Sequence, residues 1–333
     1  MIKKIVCFLC VFGLTIGLMG CSSKGKEVKI GVSMGVGPAA RWESEITFME
    51  ERAKELGVAL EARLNRTDEP LTQEEECKEM IDSGIDVLIL VARDVNNVQG
   101  ILDYAKKKDV KVLSYARSIN STDVDLYVGY DSEKIGQMMG DYVSELVYKG
   151  DYIILKGDEN DHNAELIHNG AMKSINKIKD INIIAQASIT AWDPALAKEF
   201  VKESVIKNGN KVDAIFAPND KLAGASYEAL MELGIQTPVV ITGMDAELDA
   251  IKRIAAGTQG CSVYMDLKEL AYTAVNEAVH MAKGEDIHVN AQFEINNKES
   301  IDANMIVGNL ITNKNIDKQI IDKKVFTKEQ VYE

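Results

Sequence analysis

Two consecutive strand-loop-helix units between residues 212 and 259 constrain the fold of this chain more than any other stretch. The first is the run from Val212 to Asp220 and the second runs from Pro238 to Asp245, each followed by an amphipathic pattern. Both begin as short β-branched, apolar runs and end in small residues with a carboxylate or an amide. Helical spacing then starts without a long loop. Two neighbouring parallel strands therefore carry polar side chains at their carboxyl ends. In an open α/β sheet, loops and helix N-termini converge at that edge, and ligands bind there. Asn219 and Asp245 are the first candidates for ligand contact, with helix capping as the competing role for Asp220 and Asp245.

The same alternation runs along the chain. Strands are expected at 28–34, 58–64, 86–92 and 111–115, with helices from about 41 to 56 and at 72–83 and 95–108 between them. A short strand at 126–129 follows without an intervening helix, which suggests a crossing to a second sheet, and a helix is expected at 132–149. The second series has strands at 152–155 and 181–187 with helices at 163–177 and 194–207. The two units above, a strand at 261–264 and a helix at 267–283 complete it. From Phe293 the tail is polar with scattered Ile and Val, without Asp-Gly hairpin signals, and is expected to close on the second lobe. The fold class is α/β, two doubly wound parallel-sheet lobes joined by a three-stranded hinge. The N-terminal lobe is expected at 28–128 plus 265–290 and the C-terminal lobe at 129–264 plus 291–333. With the polar strand ends of both lobes facing one cleft, the chain reads as a hinged clamp.

The N-terminus stands apart. Lys3 and Lys4 precede an apolar stretch from Ile5 to Ile16, and Leu18, Met19 and Gly20 lead to Cys21. That order is one of a bacterial lipoprotein signal over residues 1–20, with Cys21 lipidated and 21–27 as tether. The apolar stretch falls short of the roughly 20 residues that a spanning helix needs. The body would then sit outside the cytoplasmic membrane, anchored through lipid on Cys21. Of five cysteines this leaves Cys77 and Cys261, with no metal-like spacing; two separate buried thiols are the expected case, and a disulfide between them is the alternative.

The formal charge is −14, and −16 once the two leader lysines are set aside. So acidic a body lacks the basic face that phosphates require, which excludes nucleic acid as a partner. His162, His168, His280 and His288 show no metal spacing, and neither a metal nor a cofactor is implied. Gly35 and Gly37 form a Gly-x-Gly at the first strand exit, but neither a dinucleotide fingerprint nor a P-loop surrounds them.

The remaining strand exits carry Arg41 with Trp42, Arg93 with Asp94, Ala116 with Arg117, Asp161 with His162 and Asn163, and Trp192 with Asp193. These residues, with the runs 58–60, 84–88, 112–117, 129–136, 161–164, 243–248 and 251–259, resemble the periplasmic sugar-binding proteins of the ribose/galactose type, and among them the D-xylose-binding branch. The resemblance spans the chain from about Glu27 into the tail. It implies the type I periplasmic binding protein fold, and Arg41 and Arg117 bonding sugar hydroxyls from the first lobe. Asp161, Asn163, Asn219 and Asp245 would do so from the second, with Trp192 against the ring face and Trp42 either beside it or packed in the core. The chemistry agrees: a pyranose offers many hydroxyls and two C–H faces, which suit carboxylates, amides, guanidinium groups and an indole platform.

Two departures stand out. Where the resemblance calls for Asp before the arginine of the fourth strand the chain has Ala116, and where it calls for Lys after the hinge strand it has Met265. Arg93 and Asp94 are the expected compensation. The implied function is an extracytoplasmic lipoprotein that binds D-xylose or a related monosaccharide and presents it to an ABC permease. The alternative partner is the extracytoplasmic domain of a sensor histidine kinase. A glycosidase pairing of Asp161 with Asp245 is the enzymatic alternative. A two-lobed repressor would need a DNA-binding headpiece where this chain has an export signal.

Overall fold

The computed structural model describes residues 27–35, 40–65, 71–94, 97–159, 161–295 and 299–333. The leader, Cys21 and Gly37 lie outside the described residues.

Apolar runs set the centre of the first sheet. β1 (Lys29–Met34) is buried after its first residue. It leads through α1 (Ala40–Leu56), β2 (Ala59–Leu64) and α2 (Gln73–Asp82) to β3 (Val87–Val91), which is buried at every position. A strand covered by helices on both faces needs such a run. α3 (Gln99–Lys107), β4 (Lys111–Tyr115) and β5 (Leu126–Tyr130) follow. Thr72 fixes the start of α2 through a capping box with Glu75. α3 begins four residues later than its periodicity predicts, at Gln99.

α4 (Ser132–Leu146) carries the chain into the second lobe, where it packs on α5 (His162–Ile175). The two helices approach as closely as backbone allows. A Cβ on Gly136 would lie 1.9 Å from the Ile167 carbonyl oxygen, and one on Gly170 would lie 1.9 Å from that of Glu133. β6 (Gly150–Leu155), β7 (Ile181–Ala187), α6 (Pro194–Lys207), β8 (Ala214–Phe216), α7 (Asp220–Glu232), β9 (Val240–Ile241), α8 (Leu248–Ala255) and β10 (Ser262–Tyr264) complete the second series. Then α9 (Leu267–Lys283) returns to pack on α1 and on the first sheet, followed by β11 (Ala291–Ile295), β12 (Glu299–Ile306), β13 (Asn309–Ile311) and α10 (Lys328–Tyr332).

The first sheet has the order β11-β12-β5-β4-β3-β1-β2, parallel but for the β11–β12 hairpin. The second has β7-β6-β8-β9, and a bridge from Met244 to Val263 links it to the antiparallel β10–β13 pair. Both lobes thus repeat the order second, first, third, fourth, fifth strand.

Two expectations are corrected. The segment 291–306 belongs to the first sheet and not the second lobe, because Ala291, Phe293 and Ile295 alternate inward against the core beside Tyr127, whose ring centroid lies 4.6 Å from that of Phe293. Only from β13 onward does the tail join the second lobe, where Ile311, Ile316, Ile320 and Val331 cover Ile251 and Ile254 of α8. The helix missing after β4 does not mark the crossing, since β5 still pairs with β4. The chain leaves the first sheet one step later, at Asp131, whose N–H donates to the Ile306 carbonyl at 3.0 Å and ties two crossing segments together. Three crossings join the lobes, after β5, between β10 and α9, and between β12 and β13.

Candidate ligand-binding site

In a sheet of order 2-1-3-4-5 the connections leave in opposite directions from the first and third strands, which opens a crevice at their carboxyl ends. Each lobe supplies one. Arg41 follows β1 and Arg93 follows β3 in the first lobe, and Asp161 follows β6 and Asn219 follows β8 in the second. Arg117, Trp192 and Asp245 come from the exits of β4, β7 and β9.

Arg41 sits in the first turn of α1 with its side chain 40 % exposed, and its Nε donates to Oε1 of the fully buried Glu45 at 2.5 Å. Burial opposes its charge, but the carboxylate of Glu45 raises its pKa above the ordinary value. Trp42 does not share its exposure. Successive helical residues point about 100° apart, and the indole turns inward to 5 % exposure in the main core, with the Arg41 guanidinium 4.8 Å from its ring centroid. Of the two roles open to Trp42, ring platform or core packing, its burial favours the second, as a support for Arg41.

Arg117 is exposed at the end of β4. Partial burial lowers its pKa and nearby Arg41 adds to this, while Asp161 of the other lobe opposes it. Arg93 is also exposed, with its N–H on Oε1 of Gln73 at 2.9 Å and its Nη1 on Oδ1 of Asn65 at 3.2 Å, so its guanidinium leans toward the end of β2. Asp94 is exposed beside it. Ala116 and Met265 are half-buried and pack against the main core.

In the second lobe Asp161 caps α5, accepting from the Asn163 N–H at 2.9 Å. Asn163 is exposed, and its Oδ1 accepts from the Ser132 hydroxyl at 3.0 Å. Asn219 caps α7 and remains half-buried, its Oδ1 accepting from the Leu222 N–H at 2.9 Å. Asp220, by contrast, is no cap. It is buried and accepts from the Ser262 hydroxyl at 2.8 Å, Gln259 Nε2 at 2.8 Å and the Glu247 N–H at 2.9 Å. The half-buried Trp192 ring lies so close over Gly157 that a Cβ there would meet Cη2 at 2.5 Å.

Trp192, Asn219, Lys221 and Met244, with Ala191, Asp193 and Pro194, line an open cavity of about 750 Å³. Lys221 escapes the sequence reading, although its place two residues past Asn219, in the first turn after a strand exit, is the signal that marks it. Asp245 reaches water along the cleft yet is crowded by protein, and that crowding, with Glu247 beside it, pushes its carboxyl up to about 7. Arg41 from the first lobe and Lys221 oppose the rise. Two charge interactions thus cross between lobes, Arg41 on Asp245 and Asp161 on Arg117.

Backbone strain gathers at the same edges. Ala116, Ala191, Trp192, Asp245 and Ala246 all have positive φ, between 51° and 102°, at strand exits. Non-glycine residues adopt that region at a cost of about 1–3 kcal/mol each, and such residues concentrate where a site needs them. Among the described residues, no cluster of His, Cys, Asp and Glu could hold a metal ion, and no helix is long and apolar enough to cross a membrane. Cys77 and Cys261 are free and buried, as expected.

Paired lobes with hydrogen-bonding side chains and an indole at facing strand ends define a hinged α/β ligand-binding protein. The chain belongs to the periplasmic binding protein domain family, matched over residues 30–286, and has its type I fold. It is 33 % identical to the D-xylose-binding periplasmic protein of Escherichia coli (strain K12), over 86 % of each chain. It is 31 % identical to the D-xylose-binding periplasmic protein of Haemophilus influenzae, over 93 % of this chain and 94 % of that one. Among solved structures, an ABC transporter solute-binding protein from Clostridium phytofermentans with bound β-D-glucose superposes with a TM-score of 0.75 at 24 % identity, over 91 % of this chain and 99 % of that one. The fructose-binding periplasmic domain of a hybrid two-component system does so with a TM-score of 0.68 at 21 % identity, over 90 % and 95 %.

Proposed function

We propose that this chain is an extracytoplasmic binding protein, lipid-anchored through Cys21, that takes D-xylose or a related pentose between its lobes and presents it to an ABC-type permease. What supports the reading is the charge interaction of Arg41 with Asp245 and of Arg117 with Asp161 across the lobes, together with the cavity that Trp192 and Asn219 line in the second lobe. Guanidinium and carboxylate groups bond sugar hydroxyls, and the indole face meets the C–H face of a pyranose. Arg93, Asp94 and Asn163 stand at the same edges as outer contacts. The identity to two D-xylose-binding proteins over most of their length supports the choice of ligand. Sugar contacts on both lobes stabilise the closed state, and closure is the signal that a membrane partner reads. The likeness to a fructose-binding domain of a two-component system supports a second reading, in which the partner is a sensor histidine kinase.

Calorimetric titration of residues 22–333 with D-xylose, D-ribose, L-arabinose and D-glucose tests the reading. Tight, selective binding of D-xylose is the expected result. Absence of heat with all four sugars contradicts it. Pull-down of a permease or of a kinase by the sugar-loaded protein separates the two partners.

A further inference from the structure

Three buried side-chain oxygens beside Arg41 lack a hydrogen-bond partner of good geometry: Oε2 of Glu45 and the hydroxyls of Tyr115 and Tyr130. Glu45 lies one turn past Arg41 on the inner side of α1, Tyr115 ends β4 and Tyr130 ends β5. They form one cluster. The charges of Arg41 and Glu45 act on both phenols, and Tyr264 and Asp266 act on Tyr130 from the neighbouring crossing segment. Glu45 also acts on Tyr115 as a weak hydrogen-bond acceptor, so that pair is partly engaged, whereas the Tyr130 hydroxyl has no such contact. Burial drives both phenols far above their ordinary range, so both stay protonated and able to donate.

A buried oxygen left without a sound partner is unfavourable, because its hydration is lost and not replaced. Three of them beside a cleft-facing arginine are groups that a ligand hydroxyl would satisfy, since a hydroxyl donates and accepts at once. The arginine itself is held on two sides. Nε is engaged by Glu45 and the guanidinium lies by the Trp42 ring, while among the described residues its Nη groups have no partner.

We propose that Glu45, Tyr115 and Tyr130 form a polar seat that directs the Nη edge of Arg41 into the cleft and receives one ligand hydroxyl between the two phenols. The seat rests on the sugar-binding reading and supplies polar groups where Ala116 and Met265, next in sequence to Tyr115 and Tyr264, supply none. Glu45 is a positioning residue that acts through Arg41. The phenols determine specificity by contact.

The test uses the mature chain and D-xylose calorimetry on Glu45→Gln, Tyr115→Phe and Tyr130→Phe, each made also in an Arg41→Ala background. The seat predicts that Glu45→Gln weakens binding about tenfold or more with Arg41 present and less than about twofold without it. At least one Tyr→Phe change weakens binding about fivefold or more in both backgrounds. Equal losses from Glu45→Gln in the two backgrounds overturn the positioning role, and full affinity in both Tyr→Phe variants overturns the phenol contact. The arginine Nε–H resonances of the ligand-free parent give a readout that needs no sugar. An Arg41 Nε–H protected from exchange, and released in Glu45→Gln, upholds the seat; an unprotected one overturns it. If the parent binds no sugar at all, the functional reading fails while this spectrum still decides the geometry of the seat.

Discussion

The carboxylate of Asp220 accepts a hydrogen bond from the Ser262 hydroxyl at 2.8 Å, which joins the first turn of α7 to the β10 segment that leaves the second lobe. Gln259 and the Glu247 N–H complete its shell, and Arg253 holds both the Asp220 carbonyl and Gln259 from α8. One buried side chain thereby fixes the loops that carry Asn219 on one side and Asp245 on the other. Asp220→Ala leaves these donors unpaired and should cost about 3 kcal/mol of stability. Chemical denaturation measures it, and a loss under about 1 kcal/mol contradicts the hub role.

Asp220 also makes stability depend on pH. Burial raises its carboxyl to about 7 against the inward pull of Ser262 and Gln259, with Asp245 adding to the rise. A carboxyl whose folded pKa lies above its unfolded value stabilises the fold fully below the unfolded value of about 4, and that contribution is lost as pH rises through 7. Denaturation of the parent and Asp220→Asn between pH 4 and 8 should therefore differ in slope. The parent declines more steeply up to pH 7, by at most about 1.4 kcal/mol per pH unit. Parallel curves contradict the raised carboxyl.

The chain has two tryptophans, which separates core from site by fluorescence. Trp42 is buried beneath Arg41, whereas Trp192 is half-buried and lines the cavity. Sugar titration should change the emission of Trp42→Phe and leave that of Trp192→Phe unchanged. The reverse pattern would place the ring platform in the first lobe.

At the α4–α5 crossing, Gly136 faces backbone and not a movable side chain, the Ile167 carbonyl oxygen lying 1.9 Å from where a Cβ would stand. Neither helix can yield without separating. Gly136→Ala should destabilise the second lobe by about 3 kcal/mol or more, as overpacking against rigid neighbours does. A variant that melts with the parent shows that the helices part freely.

The alternation of apolar runs and helical spacing was legible almost to the residue where turns are sharp: β7, α6 and α9 fall at the ends that their Pro, Asp and Lys signals mark. The β11–β12 hairpin was not, because its inward residues are spaced by Gln and Glu in a stretch that reads as polar tail. Side-chain direction was the other gap. Arg41 and Trp42 are adjacent in sequence, and only the packing of α1 on the sheet decides that the guanidinium faces the cleft and the indole the core. Glu45 was overlooked for the same reason, since a carboxylate in a helical run reads as solvated until burial shows otherwise, and Asp220 was read as a helix cap.

On the proposed function, one ligand is held by both lobes at once. Calorimetric titration of D-xylose into the parent, Arg41→Ala and Asp245→Ala tests it most directly, with one variant taken from each lobe. Tight binding by the parent and a loss of about a hundredfold or more in either variant are expected, as when a buried polar group loses a charged partner. Full affinity in either variant would show that its lobe does not hold the sugar, and would contradict the clamp.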